Sequence, residues 1–153
     1  MQHFGDLILT FLVAMVPVIE LRGAIPFGVA RGVGLWYAII ASILGNLLPA
    51  PFIILFIRKI FAWMRTRLPK LNGLVSRLEE RARGKMDKIQ HYAFWGLVLL
   101  VAIPLPGTGA WTGSLVAAMM DMRLKKALPA ICLGVFIAAV VVSVITYGVT
   151  VVF

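Results

Sequence analysis

The chain has 153 residues, 61% of them hydrophobic and only 14% charged, with 15 Lys+Arg against 6 Asp+Glu for a formal net charge of +9. Soluble domains run at about 45–50% apolar and about 25% charged residues. A soluble enzyme domain, a disordered chain and a disulfide scaffold are therefore excluded, and the mean hydropathy of +0.99 points to a membrane. One cysteine, Cys132, forbids an intramolecular bridge, and with two histidines it furnishes no structural zinc site; the sequence calls for no cofactor and no metal.

The start, Met1 to Asp6, carries no Lys or Arg, so it lacks the basic region of a secretory signal. The first apolar block is expected to be retained, and neither end carries a lipidation signature. That block, Leu7 to Ile19, is too short to span, since a spanning helix needs about 20 apolar residues. It contains Pro17, runs into Glu20-Leu21-Arg22-Gly23-Ala24-Ile25-Pro26, and resumes over Phe27 to Ala30. The pattern predicts a half-helix, a polar break and a second half-helix. Leu35 to Ile57 is uncharged and long enough to span.

Residues 58–91 hold ten Lys/Arg and three acids. Lying between apolar runs, this block reads as a cytoplasmic loop under the positive-inside rule rather than as a nucleic-acid surface. Within it Leu71, Leu74, Val75, Leu78, Ala82, Met86 and Ile89 follow helical spacing. That predicts a basic amphipathic connector on the cytoplasmic leaflet, either a solvated spacer or a contact for anionic lipid.

The third block, Tyr92 to Met120, is broken by Pro104, Pro106, Gly107 and Gly109 and cannot be one continuous helix. Non-helical backbone at membrane depth is tolerated only against protein or a water-lined cavity. The following loop, Asp121 to Lys126, is basic like residues 58–91. A re-entrant third block keeps both basic loops on the cytoplasmic side, as the positive-inside rule prefers. Ala127 to Phe153 is the second full span.

The expected architecture is thus an all-α integral membrane domain over residues 1–153, an inverted repeat of re-entrant hairpin plus transmembrane helix. Repeat one covers 4–57, the connector 58–91 and repeat two 92–153. Pro17 precedes Leu35 by the interval that separates Pro104 from Met122, and Ile43-Leu44-Gly45-Asn46 stands where Cys132-Leu133-Gly134-Val135 stands in the second half. Broken helices at matching positions of two halves mark a transport site near the midplane.

Glu20 and Arg22 lie in such a break. A charge at that depth costs at least about 2.5–3.5 kcal/mol on insertion scales and is a functional candidate by default. Glu20 reads as a titratable proton carrier and Arg22 as an anion-binding group. The bland reading is a buried ion pair, or a carboxylate capping backbone donors of the opposing hairpin. Half-helix starts near Pro26 and near Ala110 would aim N–H groups at the centre. Asn46, Thr108 and Thr112 can add hydrogen bonds there or merely cap locally. Trp111 reads as packing. Trp36, Tyr37, Trp63, Tyr92 and Trp95 read as interfacial anchors, and Arg31 as a side chain snorkelling to the outer interface.

The stretch Glu20 to Pro26 resembles the signature of the putative small multidrug export protein family, and Ala102 to Gly113 (Ala-Ile-Pro-Leu-Pro-Gly-Thr-Gly-Ala-Trp-Thr-Gly) resembles its second signature. That family in turn is similar to the DedA (VTT-domain) superfamily. The resemblance implies two re-entrant hairpins facing each other, an essential acid in the first and an Ile-Pro-Gly-type breaker in the second. It also implies flipping of lipids or polyprenyl-phosphate carriers, or transport driven by the proton-motive force. Glu20 matches the acid; Pro104, Pro106 and Gly107 match the breaker. DedA members carry Arg around the breaker where this chain has Val101, Ala102, Thr108 and Gly109, which leaves Arg22 as the only arginine near a tip.

The residues together predict a non-enzymatic transporter or flippase in a bacterial or archaeal cytoplasmic membrane, with its basic loops inside and membrane lipids around it. The candidate proton- and substrate-binding set is Glu20, Arg22, Gly23, Pro26, Asn46, Pro104, Pro106, Gly107, Thr108, Gly109 and Thr112. Two short hairpins and two spans enclose little volume, so a homodimer is expected; nucleic acid is not a partner. The competing reading is a non-transporting membrane scaffold. An intramembrane enzyme lacks support, for no His-Glu-x-x-His or Gly-x-Ser-x-Gly motif is present.

Overall fold

A computed structural model describes residues 2–67, 70, 73, 86–105 and 107–152. The described residues are all-helical. In chain order they form α1 (Gln2–Met15), α2 (Glu20–Ala30), α3 (Leu35–Leu47), α4 (Pro49–Arg67), α5 (Met86–Ala102), α6 (Ala110–Met119) and α7 (Leu124–Val152). Leu48, between α3 and α4, keeps helical dihedrals, and Pro49 stands at the first position of α4, where its missing N–H has no intrahelical partner to lose. The rod Leu35–Ile60 and the helix Leu124–Val152 are each long and apolar enough to cross a membrane.

The first break falls earlier than the sequence pattern indicated. α1 stops at Met15 because Val16 precedes Pro17 and is biased away from helical dihedrals. Helix resumes at Glu20, not at Phe27, and Pro26 lies inside α2. Pro26 is exposed, so its ring stays off the packed side. Leu21, Ala24, Ile25 and Gly28 are the buried stripe of the helix. The connector also divides differently: α4 runs on to Arg67, and Met86 and Ile89 already belong to α5. Leu71, Leu74, Val75, Leu78 and Ala82, the body of the expected amphipathic stretch, lie outside the described residues.

Small residues bring the helices together. A Cβ added to Gly28 of α2 would stand 2.8 Å from the Thr10 hydroxyl of α1 and 3.1 Å from the Ala38 Cβ of α3. One added to Gly45 would run into the Phe11 carbonyl and stand 3.0 Å from the Ala14 Cβ. Thus α1 and α2 form an antiparallel hairpin lying along α3. In the second half a Cβ on Gly134 of α7 would meet the Val98 carbonyl at 2.9 Å and the Val101 Cβ at 2.6 Å. The pairs Phe11/Val98, Ala14/Val101 and Pro17/Pro104 share one sequence interval. The span glycines Gly45 and Gly134 share a slightly longer one, because the second tip, Ile103 to Gly109, is the longer of the two.

The hairpin-to-span turns match in detail. α2 ends on Gly32 at φ +83° and α6 on Asp121 at φ +50°. Val33 N–H donates to Gly28 O at 2.9 Å, and Met122 N–H to Ala117 O, also at 2.9 Å. These are helix ends closed by a left-handed residue and a buried apolar one, and Val33 and Met122 are both buried. One continuous core, including Leu21, Ile25, Ile54, Val101, Met122 and Ile131, joins the two halves.

Candidate functional site: the junction of the two broken hairpins

The two breaks meet. A helix interrupted inside apolar surroundings exposes orphan carbonyls at the end of its first arm and orphan N–H groups at the start of its second. Here each hairpin receives side chains from the other. Arg22, on the first turn of α2, donates through Nη1 to Leu105 O and through Nη2 to Ile103 O and to Thr108 Oγ1, both at 3.0 Å. The guanidinium therefore sits on the carbonyl end of α5. Glu20 is 4% exposed and accepts the Trp111 backbone N–H at 3.4 Å, placing its carboxylate on the N–H end of α6. Cation and anion thus lie at the poles of the broken helix that their charges suit.

The reverse contact comes from Trp111, whose indole Nε1 donates to Met15 O at 3.1 Å, at the carbonyl end of α1. Arg22 and Trp111 occupy equivalent positions by the interval that relates Gly45 to Gly134. So do Glu20 and Gly109, and this pair is complementary. A Cβ on Gly109 would overlap the Glu20 carboxylate; the acid fills the space its counterpart leaves empty. Glu20 itself is held at φ +51°, a region few non-glycine residues occupy and one that costs of order 1–3 kcal/mol.

The other residues singled out from sequence take several different places. Thr108 Oγ1 lies within 2.8 Å of Ile103 O and 2.9 Å of Leu105 O, and Thr112 Oγ1 donates to Gly107 O at 2.7 Å. Both cap the second tip locally, Thr108 while also accepting from Arg22. Gly107, at φ +84°, turns the tip. Gly23 leaves room for Ile19 and shapes the first tip without touching the second. Pro26 and Pro104 line a cavity of about 460 Å³ between α2 and α7, with Arg22, Val142, Thr146 and Val149 on its walls. Asn46 is 1% exposed, and its Oδ1 has no hydrogen-bond partner. Pro106 lies outside the described residues.

Among the described residues no ion pair joins Glu20 to Arg22. The reach of both toward the opposing backbone agrees with the capping role considered for the carboxylate and extends it to the arginine. Trp111 was missed as a site residue; nothing in a tryptophan beside a breaker separates packing from capping until its equivalence with Arg22 is noticed. Arg31, expected to snorkel, pairs with Asp6 at 3.2 Å and lies over the Phe27 ring. At the opposite end of the molecule Arg58 donates to Met122 O beside Asp121. The aromatic residues expected at interfaces, among them Trp36, Tyr37 and Tyr92, are exposed.

Fold and site together define a small helical membrane protein whose buried Glu20 and half-buried Arg22 serve two interrupted helices. The chain belongs to the putative small multi-drug export protein family, whose model matches residues 20–141, an interval that begins at Glu20 and contains the second tip and most of the two spans. No curated protein and no solved structure matches the chain. The family description gives the protein a role in membrane transport.

Proposed function

We propose that the protein is a DedA-like small transporter or flippase, proton-coupled through Glu20. It moves an amphiphilic or anionic substrate through a site between two opposed re-entrant hairpins. The carrying observation is that the charged pair of the first hairpin is held on the two poles of the second hairpin's break. Protonation would remove the anion from the α6 N–H end and loosen the junction beside the cavity that Arg22 borders. Each hairpin reaches only about half-way along its neighbouring span, which supports re-entry and an inverted repeat. The Asp6–Arg31 end would then be external, and the Arg58–Asp121 end cytoplasmic. The tips leave Val18 at 89% and Leu105 at 56% exposure, at a depth where lipid offers backbone groups no partner. This favours a homodimer that covers them in a bacterial or archaeal cytoplasmic membrane, with no enzymatic step and no nucleic-acid partner.

The test uses the full chain in vesicles with an imposed pH gradient, assayed with a fluorescent amphiphilic anion and with headgroup-labelled lipids. Glu20→Gln keeps shape and removes titration, and it should abolish pH-driven movement while leaving the fold intact. Undiminished proton-driven movement in that variant would overturn the mechanism. A wild-type protein that moves neither probe, and tolerates Glu20→Gln in growth, would favour the scaffold, a reading that the purely structural caps at both poles also fit.

A further inference from the structure

Ser42 and Asn46 lie one turn apart on α3. Both are buried, at 0% and 1% exposure, and the Ser42 Oγ and Asn46 Oδ1 have no hydrogen-bond partner. This is unusual even for a helical serine here. Ser114 donates to Ala110 O at 2.5 Å and Ser143 to Ala139 O at 2.6 Å, each folding back on its own helix, whereas Ser42 does not. A buried oxygen without a partner is costly and calls for a visiting proton donor, most simply water.

The column these groups belong to can be followed by register. Ala38 and Thr10 both face Gly28, and Thr10 is fully buried, so Thr10, Gly28 and Ala38 share one level. Ser42 lies one helical turn deeper and Asn46 another. Stepping the same number of residues from Gly28 along antiparallel α2 reaches Glu20, because both helices rise about 1.5 Å per residue. A second path gives the same level for Asn46. Gly45 lies against Ala14, next to Met15, which holds Trp111, which holds Glu20. In the other direction Thr10 Oγ1 donates to Asp6 O at 2.7 Å, beside the surface pair Asp6–Arg31. By register, the buried oxygens of Thr10, Ser42 and Asn46 thus stand at successive levels between one end of the molecule and the carboxylate at the junction.

The second half has no such series. The counterparts of Thr10, Ser42 and Asn46 there are Leu97, Ile131 and Val135, all buried and all apolar. At these three positions the polar groups stand on one of two matching scaffolds, the same one that carries Glu20, whereas the buried Ser114 of the second half bonds its own helix. If they served only to hold helices together, the second half would need them equally.

We infer that Thr10, Ser42 and Asn46 form a one-sided proton path, filled by transient water, from the Asp6–Arg31 end to Glu20. The proton moves as a relay: a water at the carboxylate gives up one proton to Glu20 and takes one from the water behind it, so that no bond other than O–H bonds changes. The inference rests on the reading of Glu20 as a proton carrier and assigns that carrier its side of access. The charged group near Glu20 is Arg22, on its own helix and turned to the opposing carbonyls. From α6 it faces backbone N–H. The described charged residues of α1, α5 and α7 stand at helix ends away from it, and α3 has none.

The experiment is an infrared pH-jump on the reconstituted full chain, reading the Glu20 carboxyl band identified by its loss in Glu20→Gln. Ser42→Ala and the isosteric Thr10→Val should each slow the appearance of that band at least tenfold, and Ser42→Thr should restore it. Wild-type rates in both Ser42→Ala and Thr10→Val would overturn the path. If Ser42→Ala does not fold, Thr10→Val at the other end of the column decides alone. A wild-type protein with no titrating band at Glu20 would instead refute the carrier reading beneath it, so the two failures are separable.

Discussion

The two hairpins share a scaffold and differ in chemistry. Both pack a small-residue span against their first arm, through Gly45 in one and Gly134 in the other, and both close their second arm on a left-handed residue, Gly32 or Asp121. Yet the first hairpin supplies Glu20 and Arg22 where the second supplies Gly109 and Trp111. The difference teaches that the junction is complementary rather than symmetric. One hairpin gives the charges, and the other gives the cavity and the helix poles that receive them. Two identical hairpins would bring two carboxylates together at low dielectric, a costly arrangement, or two glycines and an empty space.

That comparison can be broken at its tightest point. Gly109→Ala would drive a methyl into the Glu20 carboxylate. Overpacking costs about 1–3 kcal/mol, and strained backbone at φ +156° adds a term of similar order. Thermal unfolding in mild detergent should show the largest loss of any single change at the junction. The same substitution made together with Glu20→Ala should cost clearly less than the sum of the two alone, since the clash then has no partner. Strict additivity would mean the two residues do not meet.

Arg22 comes next. Arg22→Met keeps an apolar stem and removes the guanidinium's bonds to the carbonyls of Ile103 and Leu105, which keep only their local donors from Leu105 and Thr108, a loss of about 1.5–3 kcal/mol for hydrogen bonds from a charged donor. Arg22→Lys should recover only part of it, because an ammonium cannot fork between two acceptors as a guanidinium does. Equal stability of the Lys and wild-type proteins in the same unfolding assay would contradict the capping geometry. The smallest effect is expected at Trp111→Phe, which keeps the ring and removes one neutral bond to Met15 O, about 0.5–1.5 kcal/mol.

Much of this was legible in the sequence, and the exceptions have physical causes. Prolines and glycines inside apolar runs located both breaks, because backbone that cannot continue a helix stands out there. Glu20 and Arg22 stood out as charges with no reason to be in an apolar environment. The start of α2 was misplaced because Pro26 reads as a breaker, whereas an exposed proline ring in a helix whose other side is packed costs the fold little. The direction of Arg22, across to another hairpin rather than to Glu20 two residues away, depends on tertiary placement that no local pattern encodes. Trp111 looked like any packed aromatic. Ser42 and Thr10 drew no notice, since single hydroxyls in apolar helices ordinarily bond their own backbone; only the absence of such a bond at Ser42, together with apolar counterparts in the other half, marks them.

The central claim is that both hairpins enter and leave on the same face, from opposite sides, so that their tips meet inside. Single cysteines at Gly5, Gly34, Lys59 and Lys125 in a Cys132→Ala background test it most directly, by reaction with a membrane-impermeant maleimide in intact cells. The account predicts labelling of positions 5 and 34 from outside, and of positions 59 and 125 only after permeabilisation. Labelling that separates 5 from 34, or 59 from 125, would make the corresponding hairpin a single crossing and contradict the account.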